Sequence, residues 1–237
     1  MSFQQNSAEL CRLWDFVALA AGKIAHDLSN ILTGVNGFAE LAASQATGQT
    51  LVLAYLDEVQ QAGARGVALA NRLHLLKHCA NRQSFQAPVD FAVESAVSAV
   101  QASLPQSPSL QVQIAEPLPT VRISPDALRI VLIEIIKNAC EAAGGAGEVR
   151  ISAERKELSP SDINSLLGSA AAGRHVCITV QDSGPGFTSD LLSKLLTVPF
   201  FTTKPGSRGI GLPIVFRTLT AYQSAMSLGN RATGGGR

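Results

Sequence analysis
The chain has 237 residues, 46% of them hydrophobic and 16% charged, which is enough apolar material for a core and too little charge for a disordered chain. Lys and Arg number 19 and Asp and Glu 18, a formal net charge of +1, and aromatic residues make up 5%. That balance gives no basic field for nucleic acid and no ring-and-cation groove for single strands.

In chain order, the N-terminus MSFQQNSAEL has neither the basic start nor the apolar run of a signal peptide. From about Ala8 to Ala43, apolar residues recur at steps of three and four through Leu13, Phe16, Val17, Ala20, Ile24, Leu28, Ile31, Leu32, Val35, Phe38 and Leu41. The spacing predicts one long amphipathic helix, weakened and open to a bend near Gly34 and Gly37. Ala42 to Thr50 reads as a break, and a second helical pattern runs from about Leu51 to His78. Two long helices on a short turn make an antiparallel hairpin that cannot bury its apolar faces alone. A second copy is the expected partner, giving a four-helix bundle.

The character changes at Asn81 to Pro88, where a hinge is expected. Asp90 to Ala102 reads as a helix, and Leu110 to Ala115 and Thr120 to Ile123 as strands. Ser124-Pro125-Asp126 opens a helix that runs to about Ala143, with serine as cap and proline in the first turn. Glu148 to Glu154 and His175 to Gln181 read as strands around a loop with a short helix, Ser159 to Gly168. Leu191 to Leu196 and Gly211 to Ala221 read as helices and Ala225 to Leu228 as a strand. This is an α/β layer domain behind a helical hairpin. The closing Gly234-Gly235-Gly236-Arg237 is not expected to finish a packed element. The scattered Cys11, Cys79, Cys140 and Cys177 lack metal-ligand spacing and are expected to be reduced. No apolar stretch reaches about 18 residues, so no membrane segment is expected and a cytoplasmic location is.

Chemistry concentrates in four segments. In His26-Asp27-Leu28-Ser29-Asn30, His26 and Asn30 share a helix face, and Asp27 is placed to accept an imidazole proton. In Glu134 to Ala142, Glu134, Asn138 and Glu141 or Lys137 fall at helical steps, offering hard oxygen donors of the kind Mg²⁺ takes beside phosphates. In Val180 to Gly186, a strand delivers Asp182 into a turn with Gly184 and Gly186; a carboxylate there can accept from an exocyclic amine. In Pro199 to Leu212, hydroxyls, Lys204, Arg208 and glycines lead into a helix N-terminus, a phosphate-binding chemistry distinct from the P-loop or dinucleotide patterns.

In this order and at these separations, the segments resemble the boxes of the transmitter core of two-component sensor histidine kinases. HDLSNILTGVNGFAEL, His26 to Leu41, resembles the phospho-acceptor box of the HD type found in hybrid kinases. Glu134 to Ala142 is similar to the asparagine box, Asp182 to Gly186 to the first glycine box, and Phe200 to Leu212 to the phenylalanine and second glycine boxes with the ATP lid. The resemblance covers about residues 8 to 230. It implies an all-α hairpin over 1–84, a four-helix bundle on dimerisation. An α/β sandwich of the kind shared with type II topoisomerases and a chaperone ATPase would follow over 85–237. It further implies that His26 is phosphorylated, Asp27 takes its proton, and Asn30 helps place a water that hydrolyses the phospho-receiver. Asn138 would hold Mg²⁺ on ATP with Glu134 near the ion, Asp182 would bind the adenine amine, and Gly184 and Gly186 would shape that pocket. Thr203, Lys204, Gly209 and Gly211 would face the phosphates. The implied activity is an ATP-dependent protein histidine kinase, a homodimer that passes phosphate to a response-regulator receiver domain.

The pattern departs from the family in places. The lid is short, with Gly206, Gly209 and Gly211 interrupted by Arg208 and Ile210, and Pro213 follows Leu212 in the first helical turn. Tyr222-Gln223-Ser224 replaces a common His-Gly-Gly turn, and the final strand is expected to be missing. A second reading therefore stands beside the kinase: a histidine phosphotransferase that relays phosphate between receivers without ATP. His74 and His78, on one helix face, read as solvated, His175 as structural, and Trp14 as helix packing.

Overall fold
The computed structural model describes residues 3–77, 85–104, 106–114, 117–204, 207–231 and 234–237. The hinge residues 81–84, with His78, Cys79, Ala115 and Gly206, lie outside the described residues. The chain divides into two compact units, Leu13–Cys79 and Met1–Arg12 with Ala80–Arg237.

The hairpin is built from α1 (Phe3–Gln45) and α2 (Thr50–Lys77). Helix α1 runs unbroken through Gly34 and Gly37, where an added methyl group would meet nothing within 4 Å. The contact with α2 is made by small residues instead. Gly63 lies directly beneath the Asn36 side chain, and a methyl at Gly66 would stand 2.5 Å from Leu32 Cδ1. Trp14, Ala18, Ala21, Ala25 and Ala39 form the buried stripe of α1. Small side chains let helix axes approach closely. The larger apolar residues of the sequence stripe consequently face outward, among them Phe16, Ile24, Ile31, Leu41 and Phe38, the last 75% exposed.

The second unit contains α3 (Val89–Ser103), β1 (Ser109–Ile114), α4 (Pro125–Ala143), β2 (Glu148–Leu158) and α5 (Pro160–Asn164). It continues with β3 (Leu167–Gly168), β4 (Gly173–Asp182), α6 (Ser189–Lys194), α7 (Gly211–Ala221) and β5 (Ala225–Met226). The main sheet has the order β1-β2-β4, and β3 pairs with β5 in a small second sheet. Strands β1 and β2 are parallel because α4 crosses between them, and β2 and β4 are antiparallel with Val149 opposite Asp182. Val93, Val100, Leu132, Ile136, Val149 and Ile151 are fully buried where α3 and α4 cover the sheet. Ser124 caps α4, its hydroxyl accepting from Ala127 N at 3.1 Å, with Pro125 in the first turn.

The structure corrects the sequence in three places. Thr120–Ile123 is no strand; Val121 forms only a bridge to Ala87, with Pro125 close behind. The short loop helix stops at Asn164, because Leu167–Gly168 leaves to pair with Ala225–Met226. The glycine tail is packed, with Gly235 and Gly236 buried. Gly236 forms a bridge with Asn230, and its carbonyl accepts from Asp182 N at 3.1 Å. Cys140 and Cys177 are free cysteines. Among the described residues, no helix is long and apolar enough to cross a membrane.

Candidate functional site
Helix α4 is the spine of a site in the second unit. Glu134, Asn138, Glu141 and Ala142 are spaced to fall along one side of a helix, and between them they meet three approaching segments. Glu134, 9% exposed, and Asn138 face the first residue of α7: a methyl at Gly211 would stand 2.6 Å from Glu134 Oε2 and 3.5 Å from Asn138 Nδ2. One turn on, Lys204 Nζ donates to Asn138 O at 3.1 Å and to Glu141 Oε2 at 2.9 Å. At the end of the helix, a methyl at Gly184 would stand 2.5 Å from Ala142 O. The asparagine-bearing helix thus touches the Asp182 turn, the Lys204 loop and the start of α7.

Asp182 ends β4 and is 7% exposed. Its Oδ1 accepts from Gly184 N at 2.8 Å and from Gly236 N at 3.1 Å. Gly186 has φ +74° and abuts Asn230, leaving no room for a side chain. Asn230 holds the backbone of Phe187 from both sides, Oδ1 accepting from Phe187 N and Nδ2 donating to Phe187 O at 2.7 Å. Asn230 and Gly236 carried no signal in the sequence; only the fold-back of the tail brings them here.

Helix α7 starts at Gly211 behind Ile210, a residue that offers no side-chain cap. Pro213 sits in its first turn and is buried, where a missing N–H costs nothing. The first-turn N–H groups and the helix dipole are suited to an anion. Gly209, at φ +63°, packs on the Phe200 and Phe201 carbonyls, and Phe200 itself has φ 60°. Thr203 is exposed; Thr202 is the residue that accepts from the Lys204 amide, at 3.1 Å. Arg208 is exposed. Cys140, next to this face, is buried, and burial followed by the Glu141 charge pushes its thiol pKa up to about 11.

In the hairpin unit, His26 is 67% exposed on α1. Its Nδ1 lies 3.4 Å from Asp27 Oδ1 and 3.5 Å from Asn30 Nδ2, so both neighbours engage that ring nitrogen and neither engages Nε2. Among the described residues, no group of three His, Cys, Asp or Glu side chains is arranged to hold a metal by itself. A cation at α4 would need ligand oxygens from elsewhere, which is how Mg²⁺ is ordinarily held beside phosphates. Glu134 and Asn138, side by side under a residue without a side chain, carry the kind of hard oxygen donor such an arrangement uses.

The family described as Histidine kinase-, DNA gyrase B-, and HSP90-like ATPase matches residues 123–237. The chain is 30% identical over 217 residues to the sensor histidine kinase ZraS of Salmonella typhimurium, covering 89% of this chain and 42% of that protein. It is 28% identical over 213 residues to the sensory histidine kinase/phosphatase NtrB of Rhizobium meliloti, covering 85% and 52%. The chain therefore spans about half or less of the curated relatives it matches. Its fold aligns with the structure of full-length ShkA in complex with AMPPNP at a TM-score of 0.63 and 22% identity, covering 93% of this chain and 44% of that one. Residues 123–237 belong to the histidine kinase-, gyrase B- and HSP90-like ATPases, and with the hairpin before them they make this chain the transmitter region of a two-component sensor histidine kinase.

Proposed function
We propose that the chain is an ATP-dependent protein histidine kinase that autophosphorylates His26 and passes the phosphoryl group to an aspartate of a response-regulator receiver domain. The observation that carries this reading is the meeting on α4 of the Asp182 turn, the Lys204 loop and the start of α7. Those segments hold a base-reading carboxylate, a cation and a helix N-terminus, the groups that an adenine nucleotide needs.

In the proposed reaction, Asp182 accepts from the adenine amine, and Lys204 and the α7 N-terminus hold phosphate oxygens. Asn138, with Glu134 beside it, would hold Mg²⁺, whose charge would compensate that of the phosphates. Asp27 accepts the Nδ1 proton of His26, which leaves the Nε2 lone pair to attack. The Nε2–phosphorus bond forms as the bond from phosphorus to the bridging oxygen breaks, and ADP leaves. Catalysis of this kind comes mainly from in-line placement and electrostatics. Asn30, within 3.5 Å of the ring, is suited to orienting a water when the phospho-receiver is hydrolysed. The exposed apolar stripe of α1 supports a homodimer through the hairpin.

The test is incubation with Mg²⁺ and ATP labelled on the γ-phosphate. Acid-labile, base-stable label is expected on the wild type and none on His26→Gln, with nucleotide binding retained. A chain that takes no label from ATP but accepts it from a phosphorylated receiver would be a phosphotransferase instead.

A further inference from the structure
Asp182 is met by a segment that lies outside the four sequence boxes. Residues 229–231 and 234–237 pair as a narrow hairpin: Gly229 N donates to Arg237 O at 3.0 Å, Arg237 N to Gly229 O at 2.8 Å, and Arg231 N to Gly235 O at 3.0 Å. This hairpin grips Asp182 from several directions. Asp182 N donates to Gly236 O at 3.1 Å, Gly236 N donates to Asp182 Oδ1 at 3.1 Å, and Arg231 Nη1 donates to Asp182 O at 3.2 Å. Two N–H donors, from Gly184 and Gly236, thus converge on Oδ1, while no hydrogen bond from a described residue reaches Oδ2. Gly236 packs so closely that a methyl there would stand 2.5 Å from Oδ2 and 3.2 Å from Phe187 Cε2. Asn230 clasps the Phe187 backbone and fills the space over Gly186, two and four residues along the turn from Gly184 and Asp182.

We infer that Gly236 and Asn230 are positioning residues for nucleobase selection: they hold the Asp182 carboxylate so that Oδ2 alone reads the base, favouring a 6-aminopurine over a 6-oxopurine. The chemistry follows from the donor count. An acceptor oxygen already carrying two N–H bonds is spent, and the remaining oxygen of a fixed carboxylate welcomes an amine and repels a carbonyl. A carboxylate free to rotate could turn toward the ring N–H of a 6-oxopurine and lose that discrimination. The inference rests on the reading of Asp182 as the base-recognising group.

The experiment measures equilibrium dissociation constants for ATP and for inosine triphosphate on the whole chain, with thermal unfolding recorded alongside. Gly236→Ala is expected to weaken ATP binding at least tenfold and to lower the preference for ATP over inosine triphosphate at least fivefold. Asn230→Ala adds no bulk and is expected to shift both quantities in the same direction by a smaller factor; it decides the question if Gly236→Ala does not fold. Equal losses for the two nucleotides, with the preference unchanged, would make the hairpin merely structural and overturn the inference. Asp182→Asn separates the two levels. If it abolishes ATP binding while both tail variants bind and discriminate like the wild type, only this inference falls; if it leaves ATP binding intact, the assignment of Asp182 falls and takes the inference with it.

Discussion
Lys204 and Glu141, 63 residues apart in the chain, are joined by an ion pair of 2.9 Å that ties the loop before α7 to the asparagine-bearing helix. The ammonium also donates to Asn138 O, so one of its three protons remains for a further acceptor. Both side chains are about a third exposed, at 36% and 32%, and an exposed pair contributes at most about 1 kcal/mol. Lys204→Met is therefore expected to move a denaturant midpoint little. Loss of a charge-assisted bond to a phosphate should nevertheless weaken ATP binding about tenfold by titration calorimetry. Unchanged affinity would remove Lys204 from the nucleotide site.

Gly211 is where α7 comes closest to Glu134. A methyl 2.6 Å from a carboxylate oxygen forces either the helix or Glu134 to move. Gly211→Ala is expected to destabilise the second unit by about 1–3 kcal/mol, read from urea unfolding, and to weaken nucleotide binding as well.

The outward stripe of α1 predicts the oligomeric state. Ile31→Glu combined with Phe38→Glu places charges on an exposed apolar face without touching the Asn36–Gly63 contact inside the hairpin. Sedimentation should show a dimer for the wild type and a monomer for the double variant, each with the same helical circular dichroism. A double variant that still dimerises would assign the interface to another surface.

Ser124 caps the helix that carries the site. Ser124→Ala removes the acceptor for Ala127 N and should cost about 1 kcal/mol of stability, without altering the side chains that face Gly211.

Cys140 gives a pH dependence of definite sign. Its folded pKa, about 11, lies above the ordinary 9.0, so the folded chain binds more protons than the unfolded one between those values. The stabilisation is fully present below about pH 9 and is lost as pH rises toward about 11. Cys140→Ala should flatten that slope in unfolding measurements, and the native thiol should resist alkylation at neutral pH.

The stripe Leu13 to Leu41 exposed the helix and its apolar face at once, because a period of three to four residues is a local property. Which face met the neighbouring helix was not local. Ala18, Ala21, Ala25 and Ala39 carry little hydrophobic signal, yet they are buried, and the close approach of the two helices is made at Gly63 beneath Asn36 and Gly66 beneath Leu32. The same holds for Thr120–Ile123. Its residues suit a strand, but only Val121 finds a pairing partner.

By itself the sequence determined the order of elements, the cap at Ser124, the polar side of the helix from Glu134 to Ala142, and the chemistry available at His26, Asp182 and Lys204. These are encoded within a few residues, through periodicity, turn chemistry and side-chain type. The tertiary structure alone decided that Lys204 is held by Glu141, that Gly211 rests over Glu134, and that a glycine-rich tail returns to grip Asp182. Each of those contacts joins residues more than fifty positions apart, and the glycines take part by lacking a side chain, which leaves a local pattern nothing to register.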